Sequence, residues 1–519
     1  MYLYNTTQKR KKTAINCHVY AGVKSSEIES TIKPMTKRIF ISADHGMAII
    51  YFLQSDVVST LLEAGVEVVI LTDDDTKDKI ASRFTRPGLR FEGLRLKQAN
   101  DYAKKISPRL QSLLIYLRRV GGSNRINTEA MDSHVWEVWS ENGWKFRLGV
   151  WIPSAIMLFF LRNFRWARKL LVRIQNRFTP TPGLYTDLFD KYQPDMVIAS
   201  TPGWRIDRYL LRESAKRGIP NMTVIVGWDN SSSYNVSGAD VQWATCWSQL
   251  QKDELVYGSD WNPERVNIGG IPSYDGYFRK QWLMPRDEYF KLHNLDLKRK
   301  LVSYASSFVH FAPNFPNIEA LAKLVSSDAL AEPSQLLIRL HPSHFQDKPK
   351  IFAEERQRVF DLEKKYPHVH VVQPVALGGS LGYYGGEDMD EKSSMMAYSD
   401  VLVTVYSTML VETAVHDTPM IAATIDVSGG WNKPNKFSLS LKEIGDWPTH
   451  KRFRDAKAGR VTSNEVELRD ALNMYLKDKT IDSAERRKFI ENEITFTDAT
   501  AGKRTAEYIL RVLNQVSVK

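Results

Sequence analysis

Residues 38–75 read RIFISADHGMAIIYFLQSDVVSTLLEAGVEVVILTDDD, and the fold class follows from this stretch. Arg38–Ser42 is an apolar run of strand length, the loop Ala43-Asp44-His45-Gly46 follows it, and a helix is predicted from Met47 to Ala64. Val66–Leu71 is a second apolar run, ending in Thr72-Asp73-Asp74-Asp75. Strand, helix and strand in so short a span make a right-handed βαβ unit, which places both strands in one parallel sheet.

Outward from this unit the alternation continues. The segment Arg90–Arg177 reads as mostly helical, and strand signals return at Asp195–Ser200, Asn221–Val226, Val241–Trp247 and Arg265–Gly269. Gly269-Gly270-Ile271-Pro272 and the charged stretch Arg279–Lys300 read as an interdomain connection. Beyond it come strands at Lys300–Tyr304, Gln335–Leu340, His368–Val372, Val401–Val405 and Met420–Ala423, with a glycine-rich loop at Leu377–Gly386. Two successive βα arrays predict an α/β protein with two Rossmann-like domains facing across a cleft, and ligands at the carboxyl ends of the strands. The predicted divisions are a polar N-terminal segment (1–36), a first domain (37–271) with a helical basic insert (142–178), a connection (272–299), a second domain (300–480) and C-terminal helices (481–519).

Composition agrees with folded globular protein: 519 residues, 43% hydrophobic and 25% charged, which excludes wholesale disorder, collagen and coiled coil. The only cysteines are Cys17 and Cys246, so a disulfide framework and a cysteine zinc site are excluded and a reducing compartment is expected. No apolar segment follows the basic start MYLYNTTQKRKK, and no secretory signal is read there.

The net charge is +11, and it is unevenly placed. Between Asn142 and Thr186 stand Lys145, Arg147, Arg162, Arg165, Arg168, Lys169, Arg173 and Arg177, with no acid. The uncharged run Leu148–Leu161 would reach about 21 Å as a helix, short of a hydrocarbon core of about 30 Å, and Pro153 interrupts it. At 100° per residue Phe160, Phe164, Ala167, Leu171 and Ile174 share one arc. Arg162, Arg165, Lys169 and Arg173 lie opposite, with Arg168 at the flank. This is the pattern of a basic amphipathic helix on an anionic membrane surface; the alternative is a core helix whose basic face meets solvent or an acidic ligand. No nucleic-acid-binding motif accompanies the patch.

The strand ends of the second array carry residues suited to a phosphate. They are Ala305-Ser306-Ser307, Arg339-Leu340-His341-Pro342-Ser343, Val372-Gln373-Pro374, and Val403 to Thr408, where Ser407 and Thr408 open a helix containing Glu412. Free N–H groups and the dipole at a helix start favour an anion, and Glu412 is spaced to accept hydrogen bonds from a ribose diol. The competing readings are N-capping for Ser407 and Thr408 and a turn histidine for His341.

Arg339-Leu-His341-Pro342 with the run from Ser399 to Pro419 resembles the nucleotide-sugar half of GT-B transferases. The nearest resemblance is to CDP-glycerol glycerophosphotransferases and the bacterial sialyl-, polysialyl- and Kdo-type transferases, whose HP and Ser-Ser or Ser-Thr motifs hold the donor nucleotide and phosphate. Val226–Asn230, Ala244–Glu254 and Pro263–Pro272 are similar to the segment before the interdomain linker in surface-polysaccharide glycosyltransferases. The resemblance implies donor contacts at Ser306, Ser307, Arg339, His341, Gln373, Ser407, Thr408 and Glu412. His416-Asp417-Thr418 departs from it, because the family usually has glycine before Pro419.

A transferase of this type needs a base for an acceptor hydroxyl, taken from the first domain's strand ends. His45, beside Asp44, is one candidate, because a histidine side chain is suited to proton transfer at neutral pH; Asp229 is the other candidate, and Asp44 alternatively caps the following helix. Asp73-Asp74-Asp75 admits a divalent-metal reading, but a strand end whose acids cap the following helix or meet a ribose fits the two-domain alternation better, so neither metal nor cofactor is expected. Trp136, Trp139, Trp144 and Trp151 flank the basic segment, where they would platform a sugar, enter a membrane interface or pack in a core.

The resulting expectation is a cytoplasmic, peripherally membrane-associated GT-B glycosyltransferase of surface-polysaccharide or glycolipid assembly. Its donor would be a CMP/CDP- or UDP-linked sugar and its acceptor a lipid-linked or polymeric glycan. The alternatives are a CDP-glycerol-type polyol-phosphate transferase and a non-catalytic glycan- or partner-binding scaffold of the same fold.

Overall fold

The computed structural model describes residues 36–105, 163–178, 181–203, 205–233, 237–307, 314–345, 350–372, 386–426 and 441–517, with the single positions 144, 149, 156 and 160. Two parallel sheets organise them. The first contains β1 (Arg38–Ser42), β2 (Glu67–Thr72), β3 (Leu89–Gly93), β4 (Met196–Ala199), β5 (Asn221–Val224), β6 (Trp243–Cys246) and β7 (Val266–Ile268), in the order β3-β2-β1-β4-β5-β6-β7. The second contains β8 (Lys300–Ala305), β9 (Ser334–Arg339), β10 (Val369–Val372), β11 (Val401–Thr404), β12 (Met420–Ala423) and β13 (Arg460–Thr462), in the order β10-β9-β8-β11-β12-β13.

Both faces of each sheet are covered, which is why these strands read as continuous apolar runs. Ile39 and Ile41 pack on one face of the first sheet with Ile509, Val512 and Leu513 of the last helix, Ala501–Ser517. Phe40 packs on the other face with Phe189 and Tyr209. The chain therefore returns, after the second sheet, to cover the first. A further core runs from Trp228, Trp247, Tyr274 and Tyr277 to Leu337 and Leu402 of the second sheet.

Several sequence expectations are corrected. The helix expected over Met47–Ala64 is two, Gly46–Leu53 and Asp56–Glu63, because the Ser55 hydroxyl accepts the Val57 N–H and starts a new helix. The segment read as mostly helical opens with β3, an edge strand with no buried residue. Strand β13 and the helix Met389–Tyr398 were not expected at all.

The basic helix forms as Arg165–Phe178, but its orientation differs from the even division read from the sequence. Arg168 is buried, and its guanidinium holds Asp260 through Nε (2.6 Å) and Nη2 (3.0 Å). It is therefore not a surface residue. Arg165 also reaches Asp260, at 3.2 Å. The exposed side carries Lys169 and Arg173 beside Phe160, Phe164, Trp166, Leu170 and Ile174, all at least 41% exposed among these apolar residues. Arg162, Trp136, Trp139 and Trp151 lie outside the described residues; Trp144 is exposed. No helix among the described residues is long and apolar enough to cross a membrane.

Candidate active site

The strand orders decide where a ligand can sit. In the first sheet the chain runs outward from β1 to β3 and then returns to β4 on the other side of β1; in the second it does the same between β8 and β11. At such a switch point the loops leaving two neighbouring strands diverge and open a crevice at their carboxyl ends. The loop after β1 carries Asp44 and His45, the loop after β8 carries Ser306, and the loop after β11 carries Ser407 and Thr408.

A cavity of about 480 Å³ joins these loops, lined by residues of both sheets. His45, Gly46 and Arg205 come from the first; Ser306, Arg339, His341, Lys392, Ser407, Thr408 and Glu412 come from the second. Asp44 lies just behind, 1% exposed. Of the other residues singled out by sequence, Ser307 is held by Asn314, whose amide bonds both its N–H and its carbonyl, and it does not line the cavity. Asp229 is also outside the lining: its carbonyl caps the turn at Ser233, and burial raises its pKa. Gln373 falls outside the described residues.

On the first wall, His45 Nδ1 lies 2.6 Å from Asp44 Oδ1. Burial alone would raise the Asp44 pKa, but the adjacent His45 and the Arg205 guanidinium, 3.0 Å from Oδ2, hold it well below the usual carboxylate range. An ionised Asp44 accepts from Nδ1, so the ring turns Nε2 toward a substrate. Behind this pair Asp207 is fully buried and accepts from the Thr201 N–H and hydroxyl; burial and the Asp44 charge push its pKa up.

On the second wall the Ser343 N–H donates to His341 Nδ1 at 3.1 Å. An amide nitrogen only donates, so the ring proton belongs on Nε2, a donor. Burial and then the charges of His344, Arg339 and Lys392 lower the His341 pKa to about 3, so the ring stays neutral. The Ser306 hydroxyl accepts the His341 N–H at 2.6 Å, tying two strand-end loops together. Arg339 is braced by Glu391 (2.8 Å) and Asp388 (2.6 Å). Ser407 Oγ accepts the Met409 N–H at 3.3 Å, so capping is part of its work, and the helix it opens, Met409–Val415, is short.

Lys392 and Tyr277 both donate to Glu412 Oε2, at 2.5 and 2.6 Å. Sequence reading missed Lys392 and Arg205. Each is a lone cation in a helix or loop with no motif around it, and only the fold brings it to the strand ends. Asp73 and Asp74 are spent on backbone: Asp73 Oδ1 accepts the Asp75 N–H, and Asp74 Oδ2 accepts the Leu96 N–H that begins the helix Leu96–Lys105. The helix that follows the triplet, Lys77–Phe84, has Thr76 as its N-cap with no side-chain cap bond, and the helix whose start Asp74 holds is the later one, Leu96–Lys105. Among the described residues no cluster of three or more His, Cys, Asp or Glu forms a metal-ligand set.

Residues 254–511 match the family model of CDP-glycerol:poly(glycerophosphate) glycerophosphotransferase. No curated protein matches the chain. Among solved structures, a glycosyltransferase of Rickettsia africae aligns at TM-score 0.50 and 10% identity, covering 92% of this chain and 99% of that one. The UDP co-structure of S. aureus MnaA aligns at TM-score 0.50 and 11% identity, covering 92% and 97%. At these identities the likeness is one of fold, and it extends over both sheets. The chain is an α/β protein of GT-B fold, and it resembles, through its C-terminal half, the CDP-glycerol glycerophosphotransferase group.

Proposed function

We propose that this protein is a transferase of cell-surface polymer synthesis, moving a polyol phosphate or sugar from a nucleotide-activated donor to a hydroxyl of a growing or lipid-linked polymer. The observation that carries this reading is the shared cavity: a histidine–aspartate pair on one wall faces a donor histidine, serines and cations on the other. The family match over residues 254–511 favours the polyol-phosphate form with a CDP-linked donor.

In that chemistry the acceptor hydroxyl gives its proton to His45 Nε2 as its oxygen bonds to the polyol-bearing phosphorus. The bond from that phosphorus to the bridging oxygen breaks, and its electron pair leaves with CMP. For a sugar donor the oxygen attacks the anomeric carbon and the nucleotide leaves, as the diphosphate from a CDP- or UDP-linked sugar and as CMP from a CMP-linked one. His341 Nε2–H, the Ser306 and Thr408 hydroxyls and Lys392 would meet the charge developing on the leaving phosphate, a stabilisation of the transition state. Glu412, fixed through Oε2, would offer Oε1 to a ribose hydroxyl. On this reading side chains supply the countercharge and no resident divalent ion is required.

Calorimetric titration of the full chain with CMP, CDP, UDP and GDP, in chelator, tests the donor site. One nucleotide is expected to bind selectively, with affinity reduced at least about tenfold in His341→Ala, the worth of a hydrogen bond to a charged group. Equal affinity in the variant removes His341 from the site.

The proposal includes an anionic membrane as partner, with the protein peripheral on its cytoplasmic face. The exposed row Trp166, Leu170 and Ile174 beside Lys169 and Arg173 supports it. Each basic side chain near such a surface contributes about 1 kcal/mol, so Lys169→Glu with Arg173→Glu is expected to weaken sedimentation with phosphatidylserine vesicles more than about tenfold. Undiminished sedimentation would sink the membrane reading.

A further inference from the structure

Asp44 is held from three directions, and two of them come from the loop after β4. That loop sends the Ser200 hydroxyl to Asp44 Oδ1, the oxygen that also meets His45 Nδ1, and brings the Arg205 guanidinium to 3.0 Å from Oδ2. The loop is itself fastened. Asp207 accepts the Thr201 N–H at 3.1 Å and the Thr201 hydroxyl at 2.6 Å, and that hydroxyl accepts the Gly203 N–H at 3.2 Å. The Gly238 N–H adds a bond to the Pro202 carbonyl at 2.8 Å. These bonds fix the points from which Ser200 and Arg205 reach Asp44.

The two contacts differ in what they do. Ser200 only orients the carboxylate, whereas Arg205 also brings a charge. A carboxylate beside a histidine favours the protonated ring, and a cation on the carboxylate offsets that pull. Among the other groups around the pair, Asp207 is pushed up to about 8 by burial and the Asp44 charge, so it carries a proton at neutral pH. Arg208 is the other cation of this segment, and its Nε is turned to the Arg205 carbonyl at 2.7 Å. On the opposite wall Lys392 is paired with Glu412, Arg339 with Asp388 and Glu391, and His341 is neutral. The cation in contact with Asp44 is Arg205.

We propose that Arg205 is a positioning residue for the base: delivered by the loop after β4, it fixes Asp44 and offsets its charge, and so sets the pH above which His45 can accept a proton. This rests on the reading of His45 as the base given above.

The test compares Arg205→Met with Arg205→Lys in the full chain and is read first without substrate. Diethyl pyrocarbonate acylates the neutral imidazole, and the tryptic peptide 39–77 contains His45 as its sole histidine. Peptide mass spectrometry therefore follows the reaction of His45 across pH. Its midpoint is expected to rise by about one pH unit or more in Arg205→Met, which leaves Asp44 without its cation, and to return towards the wild-type value in Arg205→Lys. The acid limb of turnover with CDP-glycerol and a polymeric primer should move with it, while CDP affinity stays unchanged. Should Arg205→Met fail to fold by circular dichroism, Arg205→Gln carries the same expectation. An unmoved midpoint overturns the inference. An equal rise in the lysine variant does so too, because it would mark a change of shape and not of charge. Lost CDP affinity would make Arg205 a nucleotide contact and overturn it as well. Wild-type turnover in His45→Ala overturns the base reading itself, whatever the midpoint does, and the positioning role falls with it.

Discussion

His45→Ala is expected to lower kcat by about 10²–10⁴-fold, the usual worth of a positioned general base, while nucleotide affinity stays at the wild-type value. The split follows from position. His45 stands on the wall contributed by the first sheet, and the groups assigned to the nucleotide stand on the other. A residue that acts only on the acceptor hydroxyl should change turnover and leave donor binding alone. Asp44→Asn sharpens the test. An asparagine presenting its NH₂ to His45 Nδ1 would force that nitrogen to accept, moving the ring proton to Nε2 and blocking the base. Its kcat should therefore approach that of His45→Ala, with the fold intact by circular dichroism. Wild-type turnover in His45→Ala would remove His45 as the base. Assays with CDP-glycerol and a polymeric primer decide this, and loss of turnover with retained nucleotide binding separates an enzyme from a scaffold.

The second large effect is on stability. Arg452 stands between two buried carboxylates: it bonds Glu254 through Nη1, and Glu493 through Nε (2.8 Å) and Nη2 (3.0 Å). Glu254 belongs to the helix Gln249–Ser259 beside the first sheet; Glu493 belongs to Ser483–Ile494, and Arg452 to Pro448–Ala456. The Trp228 indole N–H adds a bond to Glu493 at 2.8 Å. Arg452→Met would strand two carboxylates, each no more than 3% exposed, without their cation. Breaking one partner of a buried ion pair typically costs about 3–5 kcal/mol, and a loss of that order is expected in chemical denaturation. The triple replacement Arg452→Met, Glu254→Gln, Glu493→Gln should recover much of it, since the stranded charges cause the loss. Lys451→Met, which breaks only the exposed pair with Asp455, should stay within about 0.5 kcal/mol. An Arg452→Met variant as stable as wild type would mean that water reaches these carboxylates.

The two histidines were legible in the sequence because each follows a strand with an apolar centre. β1 and β9 each carry an apolar centre, Ile39–Ile41 and Leu336–Ile338, that is buried on both faces of its sheet. The same reasoning explains what was missed. β3 is an edge strand with no buried residue, LRFEG, and β13 is three residues at an edge of the second sheet, so neither needs an apolar run. The break at Ser55 was hidden because apolar spacing continues across it.

Which strand-end residues form one site is a different matter. Ser306 and Ser307 are neighbours of the same type, yet Asn314 claims one and the cavity takes the other. Asp229 and His45 both follow strands of the first sheet, and only His45 reaches the lining. Arg168 repeats with the basic residues around it, yet Asp260, far along the chain, draws it inward. Lys392 and Arg205 belong to no motif. By itself the sequence determined the α/β class, the two arrays and the strand-end histidines, because periodicity records how deeply each residue is buried. Only the tertiary structure decided the switch points, the members of the cavity and the partners of each charge. Those depend on which distant strands pair, and that pairing leaves no period in the chain.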